Sequence, residues 1–381
     1  MNTTPWNIPL ETRKKDVLES LKSGKKVALM LYPRVDQASS FRYRSYNIYQ
    51  ATKDSKKWQL VYFFTEEIDA AMELLPQCHL LIFGRIDKWS RELDNLKILA
   101  SSNGIKVAFD LDDCVCGQKN IKTMFNVVSP DTIDQDYWIN TSAQFELVSL
   151  LADGFIATND YLGKVLSDSH DGKPYQVIPN SLNAEQITYS TKFADKKLRY
   201  KDVFTIGYFS GSHTHATDFE VVYPELIKLL SDNHNFKLRI VGMLQLPKSA
   251  AKFIKRGQIE YVGMVDFLTL EKLMSEVDIN IAPLADNVFA NCKSELKFFE
   301  SALVKTPTIA SPTYAFSHSV QDGKTGFLCQ PGEWTNAILN LYQNPDFAKT
   351  IAENAYKYAL DNYSPAAILL QVEKVYDHYG K

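Results

Sequence analysis

At 381 residues the chain has room for two domains of roughly 150 residues each, and its net charge of −3 gives no global field that would draw in nucleic acid. An apolar fraction of 45%, with 20 Tyr and 21 Phe, excludes a disordered chain. Five cysteines, an odd number without an even framework, exclude a disulfide scaffold and point to free thiols in a reducing compartment.

The N-terminal stretch MNTTPWNIPLETRKKDVLES has no apolar leader, and no run approaches about 18 apolar residues, so a cytoplasmic protein is expected. Peripheral contact with the inner face of a membrane stays open through Arg13-Lys14-Lys15 and Lys25-Lys26, which ordinary solvated surface explains equally. Residues up to about Ser23 read as a helix, ended by Gly24. Continuous apolar runs at 26–32, 59–65, 80–84 and 105–110 fit buried parallel strands, with helices at 68–75 and 89–101. Strands at 152–158 and 175–179 and helices at 135–151 and 161–166 complete a first unit. Such alternation means a parallel sheet with helices on both faces, and ligands bind such sheets beyond the strands' carboxyl ends.

Two loops lie at those ends. The first carries Arg34, Arg42 and Arg44. It has no glycine, so the dinucleotide fingerprint is absent and a nicotinamide enzyme is excluded. Its arginines would hold an anionic group of a substrate, or form surface ion pairs. The second loop holds Asp110, Asp112 and Asp113. Crowded carboxylates at a strand end suit hydrogen bonding to sugar hydroxyls or general-base work better than metal binding; helix capping is the plainer alternative. The Cys114-Val115-Cys116 pair has no second pair at zinc spacing, and no metal site is expected. Residues 184–202 are polar, with Lys192, Lys196, Lys197 and Arg199, and read as a linker.

The alternation restarts at 204–209. The loop Gly211-Ser212-His213-Thr214-His215 follows, opening a helix near Asp218; backbone amides there would cradle an anion, with either histidine as a further donor. Strands are expected at 237–241, 259–262, 279–283, 308–311 and near 327–330, with helices at 268–274, 335–342, 347–362 and 365–379. Between two of these strands, Lys293, Lys297 and Glu300 gather at the start of a helix that Pro307 terminates. Two cations and a carboxylate are what a nucleoside diphosphate needs; a solvated amphipathic helix is the alternative. The fold class is therefore α/β, two Rossmann-like parallel-sheet domains facing each other across a cleft.

The second part of the chain resembles group 1, family-4-type glycosyltransferases with the GT-B fold. The blocks that carry this are GYFSGSHTHATDF (207–219), RIVGM (239–243), YVGMVDFLTLEKLMSEVDINIAPL (261–284), KSELKFFESALVKTPTIAS (293–311) and DGKTGFL (322–328). VAFDLDD is similar to a block of a bacterial cell-surface polysaccharide branch. The resemblance implies metal-independent sugar transfer, with retention, from a nucleotide-diphospho-sugar and without a cofactor. Residues 1–183 would form the acceptor side and 203–362 the donor side, with 363–381 packing back on the former. The acceptor would be a glycan, a lipid-linked sugar or a protein. Glu300 matches the second glutamate of the family's E-x7-E motif, which holds ribose. The first falls at Cys292, so the motif is broken there, and Glu295 is the nearest carboxylate to it. Lys293 and Lys297 replace the usual diphosphate pair, aided by amides of Gly211 and Ser212. A nucleotide-sugar epimerase and a non-catalytic glycan-binding partner are the alternatives.

Overall fold

A computed structural model gives the structure of residues 2–34, 39–125, 133–194, 203–211 and 216–380. Two six-stranded sheets organise it, and every strand pair in both is parallel. The first contains β1 (Lys26–Tyr32), β2 (Trp58–Phe64), β3 (Leu80–Gly84), β4 (Lys106–Leu111), β5 (Gly154–Ala157) and β6 (Tyr175–Val177), in the order β2-β1-β3-β4-β5-β6. The second contains β7 (Phe204–Ser210), β8 (Phe236–Gly242), β9 (Ile259–Val262), β10 (Ile279–Ala282), β11 (Thr308–Ala310) and β12 (Phe327–Leu328), in the order β12-β11-β10-β7-β8-β9.

The central strands are largely apolar because both faces of each sheet are covered. On β1, Val27, Leu29 and Leu31 enter one cluster while Ala28, Met30 and Tyr32 enter the other. The sheets reverse direction between β1 and β3 and between β7 and β10, and these switch points are where such sheets receive ligands.

The two sheet units complete each other's cores. Phe289 and Cys292, from the loop after β10, belong to a cluster otherwise built on the first sheet. Phe267 and Leu268 join its opposite face. In return Tyr43 and Leu182 join Phe298, Phe299 and Leu303 under the second sheet. The final helix, Pro365–Tyr379, also lies on the first sheet: Val372, Val375 and Tyr376 are buried there, and the Tyr379 hydroxyl donates to the Phe155 carbonyl at 2.8 Å.

Three local features depart from the expectations. Ala184–Ala194, read as linker, is a helix. Its buried side carries Gln186, Ser190 and Ala194, so it shows no apolar period; the rest of the linker reading, 195–202, lies outside the described residues. Arg42–Tyr46 is a π-helical turn, a rare element that occurs mostly at functional sites. Arg44 and Asp110 form a buried bidentate pair, 2.8 Å for both contacts, and Arg44 also donates to the Ile178 carbonyl (2.6 Å) and to Asn180 Oδ1 (3.1 Å).

Two outcomes follow. Asp110→Ala strands the Arg44 guanidinium and is expected to cost about 3–5 kcal/mol, seen as a lower urea midpoint. Cys292→Glu, which restores the glutamate missing from E-x7-E, puts a carboxylate where the residue is 0% exposed beside the Cys114 thiol. It is expected to lose on the order of 3 kcal/mol or more, read as a fall in Tm.

Candidate functional site

The carboxyl ends of β7 and β10 lie side by side at the switch point of the second sheet. Gly242 has φ 95°, and a Cβ there would collide with the Ser210 carbonyl, so glycine lets the end of β8 close on the end of β7. Asp218 draws the β10 loop in by accepting from the Ala285 amide at 3.0 Å. Gly211 stands exposed beside this junction; Ser212, His213 and His215 lie outside the described residues.

Lys297 enters from the first turn of the helix Leu296–Leu303. Its carbonyl accepts from Asn280 Nδ2 of β10 at 2.9 Å, which fixes that turn against the sheet. The side-chain stem is partly exposed, but the ammonium is shut from water and has no hydrogen-bond partner among the described residues. It lies 4.8 Å from the centre of the Tyr208 ring. Burial lowers its pKa to about 8; Asp218 opposes the shift and Lys293 adds to it. Lys293 instead crosses the cleft, 3.8 Å from Asp113 Oδ2, with Phe289 beneath it at 4.3 Å.

Glu300 lies on the same helix and is almost fully buried. Its Oε1 accepts from Arg42 Nη2 (3.1 Å), Gln186 Nε2 (3.2 Å) and the Tyr43 hydroxyl. Gln186 Nε2 also donates to Glu271, and Gln186 Oε1 accepts from Arg42 Nη1 at 3.1 Å. Burial, then the neighbouring Glu300 charge, raises the Glu271 pKa well above its ordinary value. The helix is thus no solvated surface helix: Phe298 through Leu303 are all buried.

Several expected site residues have other roles. Asp110 and Arg44 satisfy one another inside the fold and reach no substrate. Burial raises the Asp110 pKa against the pull of Arg44. Asp112 is paired with Arg85 at 2.5 Å; burial disfavours its charge, but Arg85 and the Ser40 hydroxyl outweigh that and lower its pKa, which suits a poor proton acceptor. Of the three aspartates, Asp113 is the one that faces the opposite domain. With Asp110 and Asp112 each held by an arginine, the trio is not arranged as a metal donor set. Arg34 stands at the outer side of the first sheet, over the Phe64 ring at 3.9 Å and paired with Glu66 and Glu67. Arg42 binds Glu300 rather than open cleft. Glu295 turns away towards Tyr363 and His318, and burial raises its pKa.

Tyr43, Gln186, Glu271, Asp218 and Arg85 escaped the sequence reading. Glu271 left a signal: it occupies an inward position between Leu268 and Met274. The others carry no local mark of their role in the sequence.

Residues 202–344 match the family model described as glycosyl transferases group 1. No curated protein matches the chain. Among solved structures, HepE from Anabaena in complex with UDP superposes with a TM-score of 0.59 at 15% identity, over 93% of this chain and 100% of its own. HepE is also known with UDP-glucose. Sucrose-phosphate synthase from Thermosynechococcus elongatus gives 0.60 at 13% identity, over 93% and 99%. A glycosyltransferase from Rickettsia africae gives 0.60 at 14% identity, over 93% and 98%. The chain has the GT-B fold, and its residues 202–344 match the group 1 glycosyltransferase family model.

Proposed function

We propose that the protein is a metal-independent, retaining glycosyltransferase that moves a sugar from a nucleotide-diphospho-sugar to a hydroxyl of a glycan, lipid-linked or protein acceptor. The observation that carries this is the Lys297 ammonium, buried over the Tyr208 ring at the switch point of the second sheet with no hydrogen-bond partner among the described residues. A buried charge without a partner is costly, and a diphosphate placed there would neutralise it. Residues 203–362 would take the donor and 1–183 the acceptor. Uridine diphosphate, which HepE binds, is the first nucleotide to test.

In this reading Glu300 receives the ribose hydroxyls and Lys297 faces the diphosphate, with the Gly211 amide beside it. The bond from the sugar C1 to the β-phosphate oxygen breaks, and its electron pair stays on the diphosphate, where the lysine charge stabilises it. The acceptor oxygen bonds to C1, and its proton passes to Asp113 or to the departing diphosphate. The apolar contacts between the two units keep water from competing. The setting would be bacterial surface polysaccharide or glycoconjugate synthesis, in the cytoplasm or at the inner face of the membrane. Among the described residues no helix is long and apolar enough to cross a membrane.

One observation favours a second reading, a non-catalytic glycan- or partner-binding protein: position 292 is a buried cysteine, so the family's first glutamate is missing. Detectable sugar transfer or slow donor hydrolysis rules that reading out.

Calorimetric titration with uridine diphosphate tests the assignment. Lys297→Gln and Glu300→Gln are each expected to weaken binding by about tenfold or more; unchanged affinity in both would show that the site lies elsewhere. Lys297, with a pKa of about 8, is charged below that pH and neutral above it. Wild-type affinity should therefore fall as pH rises from 7 to 9. The ratio of wild-type to Lys297→Gln affinity should shrink over the same range, which separates Lys297 from the titration of the nucleotide itself.

A further inference from the structure

We propose that the protein latches its own nucleotide site: Arg42 and Tyr43 stand on Glu300 in place of the ribose hydroxyls, and a nucleotide must displace them. This rests on the reading of Glu300 as the ribose ligand. Two neighbouring ribose hydroxyls would approach that carboxylate as two donors. In the structure it already takes two donors from the opposite unit, the Tyr43 hydroxyl and Arg42 Nη2, both on Oε1. Arg42 and Tyr43 are 4% exposed and Glu300 is 5% exposed, so no sugar reaches the carboxylate while they remain.

The arrangement is built rather than incidental. The Arg42 guanidinium is sandwiched between the Tyr43 ring at 4.1 Å and the Phe267 ring at 4.8 Å. Gln186 closes the back of the site, accepting from Arg42 and donating to both Glu300 and Glu271, so its amide has one orientation that satisfies all three. Both donors lie at the start of the π-helical turn Arg42–Tyr46, at the amino end of the segment that inserts Tyr43 into the other core. A ligand that takes Glu300 therefore meets a competitor from its own chain, and apparent affinity is reduced by the latched fraction.

Tyr43→Phe keeps the ring in its apolar cluster and removes only the hydroxyl. Calorimetry on the full chain is expected to show uridine diphosphate binding about tenfold tighter to this variant than to wild type. The 2′,3′-dideoxy nucleotide, which has no hydroxyls for Glu300, should gain less. A second readout needs no substitution: saturating uridine diphosphate should speed amide hydrogen exchange over 42–46 in wild type. Unchanged or weaker binding by Tyr43→Phe, an equal gain for both nucleotides, or slower exchange over 42–46 overturns the latch and leaves the nucleotide site standing. If neither wild type nor variant binds uridine diphosphate, the latch falls together with the reading of the site.

Discussion

The apolar exchange between the two sheet units is the constraint on which the rest depends. Each unit lacks part of its own core and takes it from the other: Phe289 and Cys292 go one way, Tyr43 and Leu182 the other. Relative motion is the default between domains whose contact is small and polar; here it would expose buried aromatic and aliphatic surface. Polar groups at the contact are consequently held in a nearly dry setting. Asp113 meets Lys293 there, and Asn180 Nδ2 donates to the Ser294 hydroxyl at 3.0 Å. The loop from 287 to 294 is tied down further by Asn159, whose side chain donates to the Lys293 carbonyl at 3.2 Å.

Against that setting the ionisable groups show a division of labour. Arg44 with Asp110 and Arg85 with Asp112 are closed pairs, in which each charge has its counter-charge and the pair holds backbone in place. Lys297 and Glu271 are open: the ammonium and Glu271 Oε2 each lack a hydrogen-bond partner among the described residues. Closed pairs stabilise a fold, while open ones lower its stability unless something else arrives to complete them.

The strands were readable because parallel sheets covered on both faces produce unbroken apolar runs, and no alternation has to be decoded. The helix 296–303 stood out as a candidate because Lys293 just ahead of it, and Lys297 and Glu300 on it, stand at short fixed offsets. What stayed hidden depends on contacts distant in the chain. Arg44 meets Asp110 across 66 positions, and Arg42 meets Glu300 across 258. An arginine in a loop carries no local mark of whether it turns to solvent or into the protein. The 184–194 helix was missed for the opposite reason: its buried face is polar because it packs against carboxylates and an arginine, so the hydrophobic period that announces most helices is missing.

The helix 365–379 gives the chain an unusual order of assembly. Trp58, near the start of the first sheet, has its indole N–H on Asp377 at 2.9 Å, and Gln371 Nε2 donates to the Val177 carbonyl at 2.8 Å. Tyr376 and Tyr379 fill the face of that sheet which Ala28, Tyr62 and Ile156 present. On a ribosome part of that face stays open until residues 365–379 emerge, long after the sheet itself has been made. The second unit thus has time to fold within a chain whose first unit is still incomplete. Emergence of residues 365–379, and not completion of the strands from 26 to 177, is the event that seals the first core.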